Sequence, residues 1–253
     1  MLIREEQKVT SLVVCGHAVD TIGLSQDNTL YQKYRNASQM SGLLPIGKVI
    51  GGESSENLMS IFWSITKNDY KRFQELSREG DDFIEWRNSL IDFWPQLESY
   101  LSQINNKDQF TFATYNDVQM NPTDWVSPES SVIYIGDYSH GTSPQLGQGA
   151  GLALIDSFIL HECLVELQSG QLTSLQQCLA EYCKRRSSHV IGYRLASRIL
   201  TPFFQSNYDT VSYFRDIVMG PMCKISPSRW FMLRTLAGIQ SGWYNTFPTA
   251  PTF

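Results

Sequence analysis

The stretch Val132-Ile133-Tyr134-Ile135-Gly136-Asp137-Tyr138-Ser139-His140-Gly141-Thr142-Ser143-Pro144-Gln145-Leu146-Gly147-Gln148-Gly149-Ala150-Gly151-Leu152-Ala153-Leu154-Ile155-Asp156 decides how this chain is read. Residues 132–135 are β-branched or aromatic, the composition of a short buried strand, and Gly136 ends the run. A carboxylate, Asp137, follows at once. Beyond a loop containing Pro144, the glycines Gly147, Gly149 and Gly151 precede Leu152, Ile155, Ile159, Cys163, Leu164 and Leu167, apolar residues at three- and four-residue intervals. That spacing predicts an amphipathic helix. Its glycine-rich start leaves backbone N–H groups unpaired at the positive end of the helix dipole, with no side chains to hold a ligand away. An anionic or electron-rich ligand suits such a place.

The glycines do not form a dinucleotide fingerprint. That motif is G-x-G-x-x-G directly after a strand, whereas about ten residues intervene here. The full spacing is Gly136-Asp137-x-x-His140-x-x-x-Pro144-x-x-Gly147-x-Gly149, with Asp156 inside the helix. It resembles the second flavin-binding motif of the FAD-dependent aromatic hydroxylases, the para-hydroxybenzoate hydroxylase-like flavin monooxygenases.

The resemblance implies that Asp137 hydrogen-bonds the ribityl chain of FAD and that Pro144 lies beside the isoalloxazine ring. It also implies that the helix start at Gly147, Gln148 and Gly149 faces the pyrimidine end of the ring. With the flanking positions, the cofactor-binding set is Gly136, Asp137, Pro144, Leu146, Gly147, Gln148, Gly149, Ala150 and Gly151. Reduced flavin carries negative charge near N1 and O2, which backbone donors and a helix N-terminus stabilise without a side-chain cation. The sequence departs from the family at Tyr138 and Ser139, where small residues are usual, and at Gly151, where asparagine is common.

Composition bounds the alternatives. The chain has 253 residues, 42% hydrophobic, 12% aromatic and 18% charged, with a formal net charge of -5. Such a chain can bury a sizeable core, and its charge does not suggest a nucleic-acid surface. No apolar run is long enough to span a bilayer, and the N-terminus lacks a signal-peptide pattern, so a cytoplasmic protein is expected. Cys15, Cys163, Cys178, Cys183 and Cys223 form no Cys-x-x-Cys pair, which favours reduced thiols over disulfides or zinc. No two histidines stand at metal-ligand spacing, so no metal site is expected; His161 and His189 fall within helical patterns and suit packing or surface roles.

The fold class expected is α/β, α+β-like in this chain: an antiparallel substrate-domain sheet, a flavin-motif strand and C-terminal helices. Strands are expected at 9–15, 30–34, 40–45, 58–66 and 110–118, around a turn-rich connection at 16–28 and a loop at 51–55. Helices are expected at 69–76, 81–93 and 95–102, the second capped by Asp81 or Asp82. A long helix over 172–200 is expected to stop at Thr201-Pro202, and its basic run Lys184-Arg185-Arg186 reads as a solvated face. The organisation is thus 1–125 as a substrate-domain-like sheet with helices, 126–170 as the flavin motif, and 171–253 as a helical region.

The segments 31–35, 40–47 and 62–64 are similar to parts of the hydroxylases' substrate-binding portion. Trp63, Phe62 and Met40 are candidates either for an aromatic pocket or for core packing. Phe203, Phe204, Tyr208, Tyr213, Phe214, Trp230, Phe231, Trp243 and Tyr244 make the C-terminal region aromatic. They pack on the core or form an apolar contact surface for a second copy, another partner or a membrane surface.

The resemblance covers about residues 30–242, the later part of the family's usual length. The N-terminal strand, G-x-G-x-x-G turn and helix for the ADP half of FAD have no counterpart, which implies a truncated enzyme. The activity implied is an FAD-dependent monooxygenase, an oxidoreductase using NAD(P)H and O2 on a small aromatic or apolar substrate. The flavin carries the chemistry in that family, so no catalytic side chain is assigned, and His140 reads as a turn residue near the cofactor. Two alternatives stand beside it: a non-catalytic flavoprotein-like remnant or interaction module, and another flavoenzyme of the same fold such as a halogenase or reductase.

Overall fold

A computed structural model of the chain describes residues 9–48, 56–65, 67–118, 120–127, 129, 132–204, 209–241 and 245–246. The loop expected at 51–55, and Tyr208, Trp243 and Tyr244 of the aromatic region, lie outside the described residues. Two compact units emerge, one mainly Ser11–Thr114, the other mainly Tyr115–Phe203 and Tyr213–Phe253.

The first unit is a five-stranded sheet in the order β2-β3-β4-β1-β5, with β1 Val9–Val19, β2 Tyr31–Arg35, β3 Gln39–Lys48, β4 Asn57–Ile65 and β5 Thr111–Asn116. The pairs β1–β4, β2–β3 and β3–β4 are antiparallel. Register explains the core: Val14 opposes Trp63, Gly16 opposes Ile61 and Ala18 opposes Met59, while Leu43 of β3 opposes Ile61 from the other side. Because side chains alternate along a strand, these residues share one face, and that face is buried. Pro45 sits where the β3–β4 register shifts, and Gly47 beside it takes φ +80°, so the proline occupies an irregularity in the ladder.

Three helices accompany the sheet: α1 Lys67–Glu75, α2 Asp81–Phe93 and the single turn α3 Glu98–Leu101. Their apolar residues Phe73, Phe83, Leu90, Phe93, Tyr100 and Leu101 join the sheet's core. The Trp63 ring meets Phe110 edge-on at 5.0 Å and Trp86 at 5.0 Å. Trp63 and Met40 are therefore packing residues, and the Phe62 ring lies over Gly42. The cap expected of Asp81 or Asp82 falls instead to Gly80; Asp82 accepts from the N–H and hydroxyl of Ser77, drawing the preceding turn onto the helix.

The second unit is largely helical: the one-turn α4 Asp137–His140, then α5 Gly149–Gln168, α6 Leu175–Phe204, α7 Asp209–Met222 and α8 Ser226–Leu236, followed by the two-residue strands β6 Gln240–Ser241 and β7 Asn245–Thr246. Trp125, Ile159, Cys163, Cys178, Tyr182 and Val190 form its core. Residues 132–135 do not form the expected strand. They make one antiparallel bridge, Val126 to Ile133, supported by Tyr134 N–H to Trp125 C=O at 2.7 Å, because no other strand flanks them among the described residues.

Helix α6 passes through Pro202 to Phe204 rather than stopping at Thr201. A proline costs least near a helix end, and the Thr201 hydroxyl donates to the Ser197 carbonyl at 2.8 Å, supplying a bond inside this last stretch. The basic run in α6 also differs from expectation. Lys184 is exposed, Arg185 pairs with Glu166 and Glu181, and Arg186 is fully buried. The described helices include none long and apolar enough to cross a membrane, and the described residues hold no candidate metal cluster.

Candidate functional site

The site begins at the Gly136 turn. Gly136 adopts φ +59°, ψ −143°, a conformation that side chains rarely tolerate, and a Cβ there would stand 3.3 Å from the Ala153 methyl of α5. Its carbonyl accepts from the N–H groups of Ser139 and His140, each at 3.0 Å, which opens α4. Asp137 is the first residue of that turn and points to the exposed side. Tyr138 does the same, its ring stacked on Tyr134 at 5.0 Å with 19° between planes.

The following loop is pinned at successive points. Val118 N–H donates to Gly141 C=O at 2.8 Å, Ser143 N–H donates to the Asp117 carboxylate at 3.2 Å, and the Ser197 hydroxyl donates to Ser143 C=O at 3.1 Å. Pro144 thus starts a single 3-10 turn, Pro144–Leu146, from a fixed position, and Gly147 closes it at φ +63°.

The entry to α5 has no side-chain cap. Gln148 holds the N-cap position but caps no N–H: its side-chain amide donates to the Leu236 carbonyl at 2.6 Å, while its Oε1 lies 3.4 Å from where a Gly151 Cβ would stand. The first ladder bond is Leu152 N–H to Gln148 C=O at 2.9 Å, so the N–H groups of Gly149, Ala150 and Gly151 precede the ladder. A Cβ on Gly149 would lie 3.4 Å from Asp137 Oδ1 and one on Gly147 would meet nothing within 4 Å. A carboxylate and a bare helix start therefore adjoin, with room left by the glycines.

Beneath this surface lies a buried polar chain. Asp156 Oδ2 accepts from Gly136 N–H at 2.8 Å and from His140 Nε2 at 2.6 Å, while Oδ1 accepts from Arg186 Nε at 2.7 Å. Asp156, Arg186 and His189 are 0% exposed and His140 2%. Arg186 Nη1 donates to His189 Nδ1. Arginine has no acceptor, so Nδ1 must be the bare nitrogen and Nε2 carries the proton that reaches Gly238 C=O at 2.9 Å.

The electrostatics agree with that assignment. Burial, then the neighbouring Arg186 charge, push His189 down to about 4, which keeps it neutral. For Asp156 burial opposes ionisation, yet the His140 hydrogen bond and charge, Arg186 and the Gly136 N–H hold the carboxyl below its ordinary value. The ion pair is thus matched and fully hydrogen-bonded, the condition under which a buried pair persists.

The nine residues expected to hold the cofactor run from the Gly136 turn to the first turn of α5. Asp137, Gly147, Gly149 and Ala150 are exposed; Pro144, Leu146, Gln148 and Gly151 are half-buried; Gly136 is buried as the hinge of the turn. The fit to a flavin ring and ribityl chain is chemical: an exposed carboxylate acceptor, a proline face, and three backbone donors at a helix N-terminus. Sequence reading missed Arg186 and His189. Their signal was the spacing 186, 189, 190, 193, a buried stripe at helical period that places a cation and an imidazole on the apolar face.

Comparison with known proteins gives likeness of fold. No protein-family model matches, and no curated protein matches by sequence. Among solved structures, the chain is similar to PqsL from Pseudomonas aeruginosa, described as a probable FAD-dependent monooxygenase, with TM-score 0.60 at 17% identity over 81% of this chain and 51% of that one. The flavin-dependent brominase Bmp2 gives TM-score 0.63 at 16% identity over 92% and 52%. HpxO from Klebsiella pneumoniae, complexed with FAD and uric acid, gives 0.61 at 14% identity over 89% and 55%. The chain shares the fold of the matched part of these structures and spans about half their length.

Proposed function

We propose that residues 136–151 bind the isoalloxazine and ribityl portion of FAD, and that the protein belongs to an FAD-dependent monooxygenase of the aromatic-hydroxylase type. The observation that carries this reading is the uncapped start of α5 beside the Asp137 carboxylate, on a chain with the fold of flavin monooxygenases. Bound FAD would supply the redox and oxygen chemistry, with NADH or NADPH as reductant and a small aromatic or apolar molecule as substrate.

The chain's own residues bind and orient. Asp137 accepts hydrogen bonds from ribityl hydroxyls, Pro144 and Leu146 present an apolar edge to the ring, and the N–H groups of Gly149, Ala150 and Gly151 offer donors where reduced flavin gathers negative charge. Gly136, Gly147 and Gln148 shape the backbone that presents them. His140 is committed to Asp156 beneath the turn, so it holds the site rather than moving protons for it.

A flavoprotein-like domain without catalysis is the second reading; the likeness to Bmp2 keeps a halogenase in view. Substrate-screened NADH and NADPH oxidation with added FAD tests the enzyme. Flavin-dependent turnover that Asp137→Ala lowers supports it. Flavin binding with no turnover for any reductant favours the second reading. Tyr213, at 71% exposure, with exposed Phe214, Ile217, Trp230, Leu233 and Leu236, supports an apolar contact surface on α7 and α8 for a second copy. Sedimentation showing only monomer at high concentration would remove that part.

A further inference from the structure

We propose that Arg186 and His189 are positioning residues that tie the two ends of the flavin-binding segment together through the turn after α8. The inference rests on the flavin-site reading above and extends it to residues outside the motif.

The bonds run in a closed circuit. From the Gly136 N–H the path goes to Asp156 on α5, to Arg186 and His189 on α6, and to the Gly238 carbonyl. From that turn it returns to the cradle, because Leu236 C=O accepts from the Gln148 side chain, and the Gln148 Oε1 atom lies 2.9 Å from where a Gly238 Cβ would stand. Gly238 takes φ +76°, its neighbour Ile239 N–H bonds back to Arg234 C=O at 3.1 Å, and the Tyr193 hydroxyl donates to Thr235 C=O at 2.8 Å. The end of α8 and the turn after it thus deliver two carbonyls, Leu236 and Gly238 on either side of Ala237, to two different partners.

The consequence concerns the cap. A glutamine at an N-cap can satisfy its own helix or leave it bare; here the bond to the Leu236 carbonyl orients the Gln148 amide so that its Oε1, though 3.4 Å from where a Gly151 Cβ would stand, caps no N–H, which leaves the Gly149 to Gly151 N–H groups to a ligand. His189 fixes the turn that presents Leu236, and Arg186 fixes both His189 and Asp156. One buried guanidinium therefore sets the Asp137 side and the helix-start side of the same site.

Amide hydrogen exchange on the ligand-free full chain tests this, with riboflavin titration as a second readout. The expected result is that His189→Leu speeds exchange at least tenfold at 236–239 and also at the bonded amides within 147–152 (Gly147 and Leu152) and 136–141 (Gly136, Ser139, His140 and Gly141), while β1 and β4 amides are unchanged. His189→Gln, which can accept from Arg186 and donate to Gly238, restores protection. Gly238→Ala, which puts a methyl 2.9 Å from Gln148 Oε1 at a buried position with φ +76°, is expected to disturb 147–152 even if His189→Leu does not fold. In the riboflavin arm, His189→Leu weakens binding at least fivefold and His189→Gln recovers it.

Loss of protection confined to 236–239 in both His189→Leu and Gly238→Ala would overturn the coupling. If wild-type protein takes up no riboflavin while exchange at the three segments moves together, the coupling stands and the flavin reading fails.

Discussion

At the residue scale, Asp137 and Asp156 bracket the argument. They belong to one motif, yet one is exposed and the other fully buried among three donors. Asp156→Asn leaves Arg186 buried without its counter-charge, so chemical denaturation should show a loss of about 3–5 kcal/mol. Asp137→Ala should change stability by only ~0.5 kcal/mol or less while weakening flavin binding. His189 gives a pH signature. Its folded value near 4 lies below the ordinary 6.5, so the unfolded chain binds the extra proton between those values. Stability is then full above about pH 6.5 and falls as pH drops towards 4, by about 3 kcal/mol for this group. His189→Gln should flatten that part of the profile relative to wild type; parallel profiles from pH 7 to 4 would contradict it. The pairing that makes these residues matter was only half legible: Asp156 stood at its motif position, but its cation arrives from thirty residues away on another helix.

At the scale of elements, local pattern named most of the sheet and helices because burial follows period. Helix α2 matches its expected span, and β2, β3 and β4 are displaced by a residue or a few at their ends. The failures have tertiary causes. Residues 132–135 have strand composition, but a strand needs neighbours on which to pair, and Val126 supplies a single bridge. Pro202 reads as a stop, yet α6 runs two residues past it, near the helix end where a missing N–H costs least. Lys184-Arg185-Arg186 reads as one charged face although a helix turns each residue about 100° from the last, sending the third inward. Glycine is demanded at Gly42, where a Cβ would stand 2.2 Å from the Phe62 ring. Gly42→Ala should cost about 1–3 kcal/mol by displacing that ring from β4, measured by denaturant midpoint; an unchanged midpoint would show the ring free to move.

At the scale of the molecule, the two units hold separate cores, an aromatic one around Trp63, Trp86 and Phe110 and a mixed one around Trp125, Cys163 and Tyr182. The fold class was legible because alternating strands and long apolar helices occupy different stretches of chain. The nine proposed site residues all lie within a short run of sequence, whereas the circuit beneath them depends on α6 and the turn after α8. The central claim is that this run addresses the ring and ribityl chain of a flavin. The direct measurement is a titration with riboflavin and with FAD, followed by amide chemical shifts of the protein. The account predicts that both ligands move the amides of 136–151, with affinities within about tenfold of each other since the ring and ribityl contacts are common to both. It also predicts that Asp137→Ala weakens both. Riboflavin and FAD that leave those amides unmoved at millimolar concentration, or bind equally well to Asp137→Ala, would contradict it.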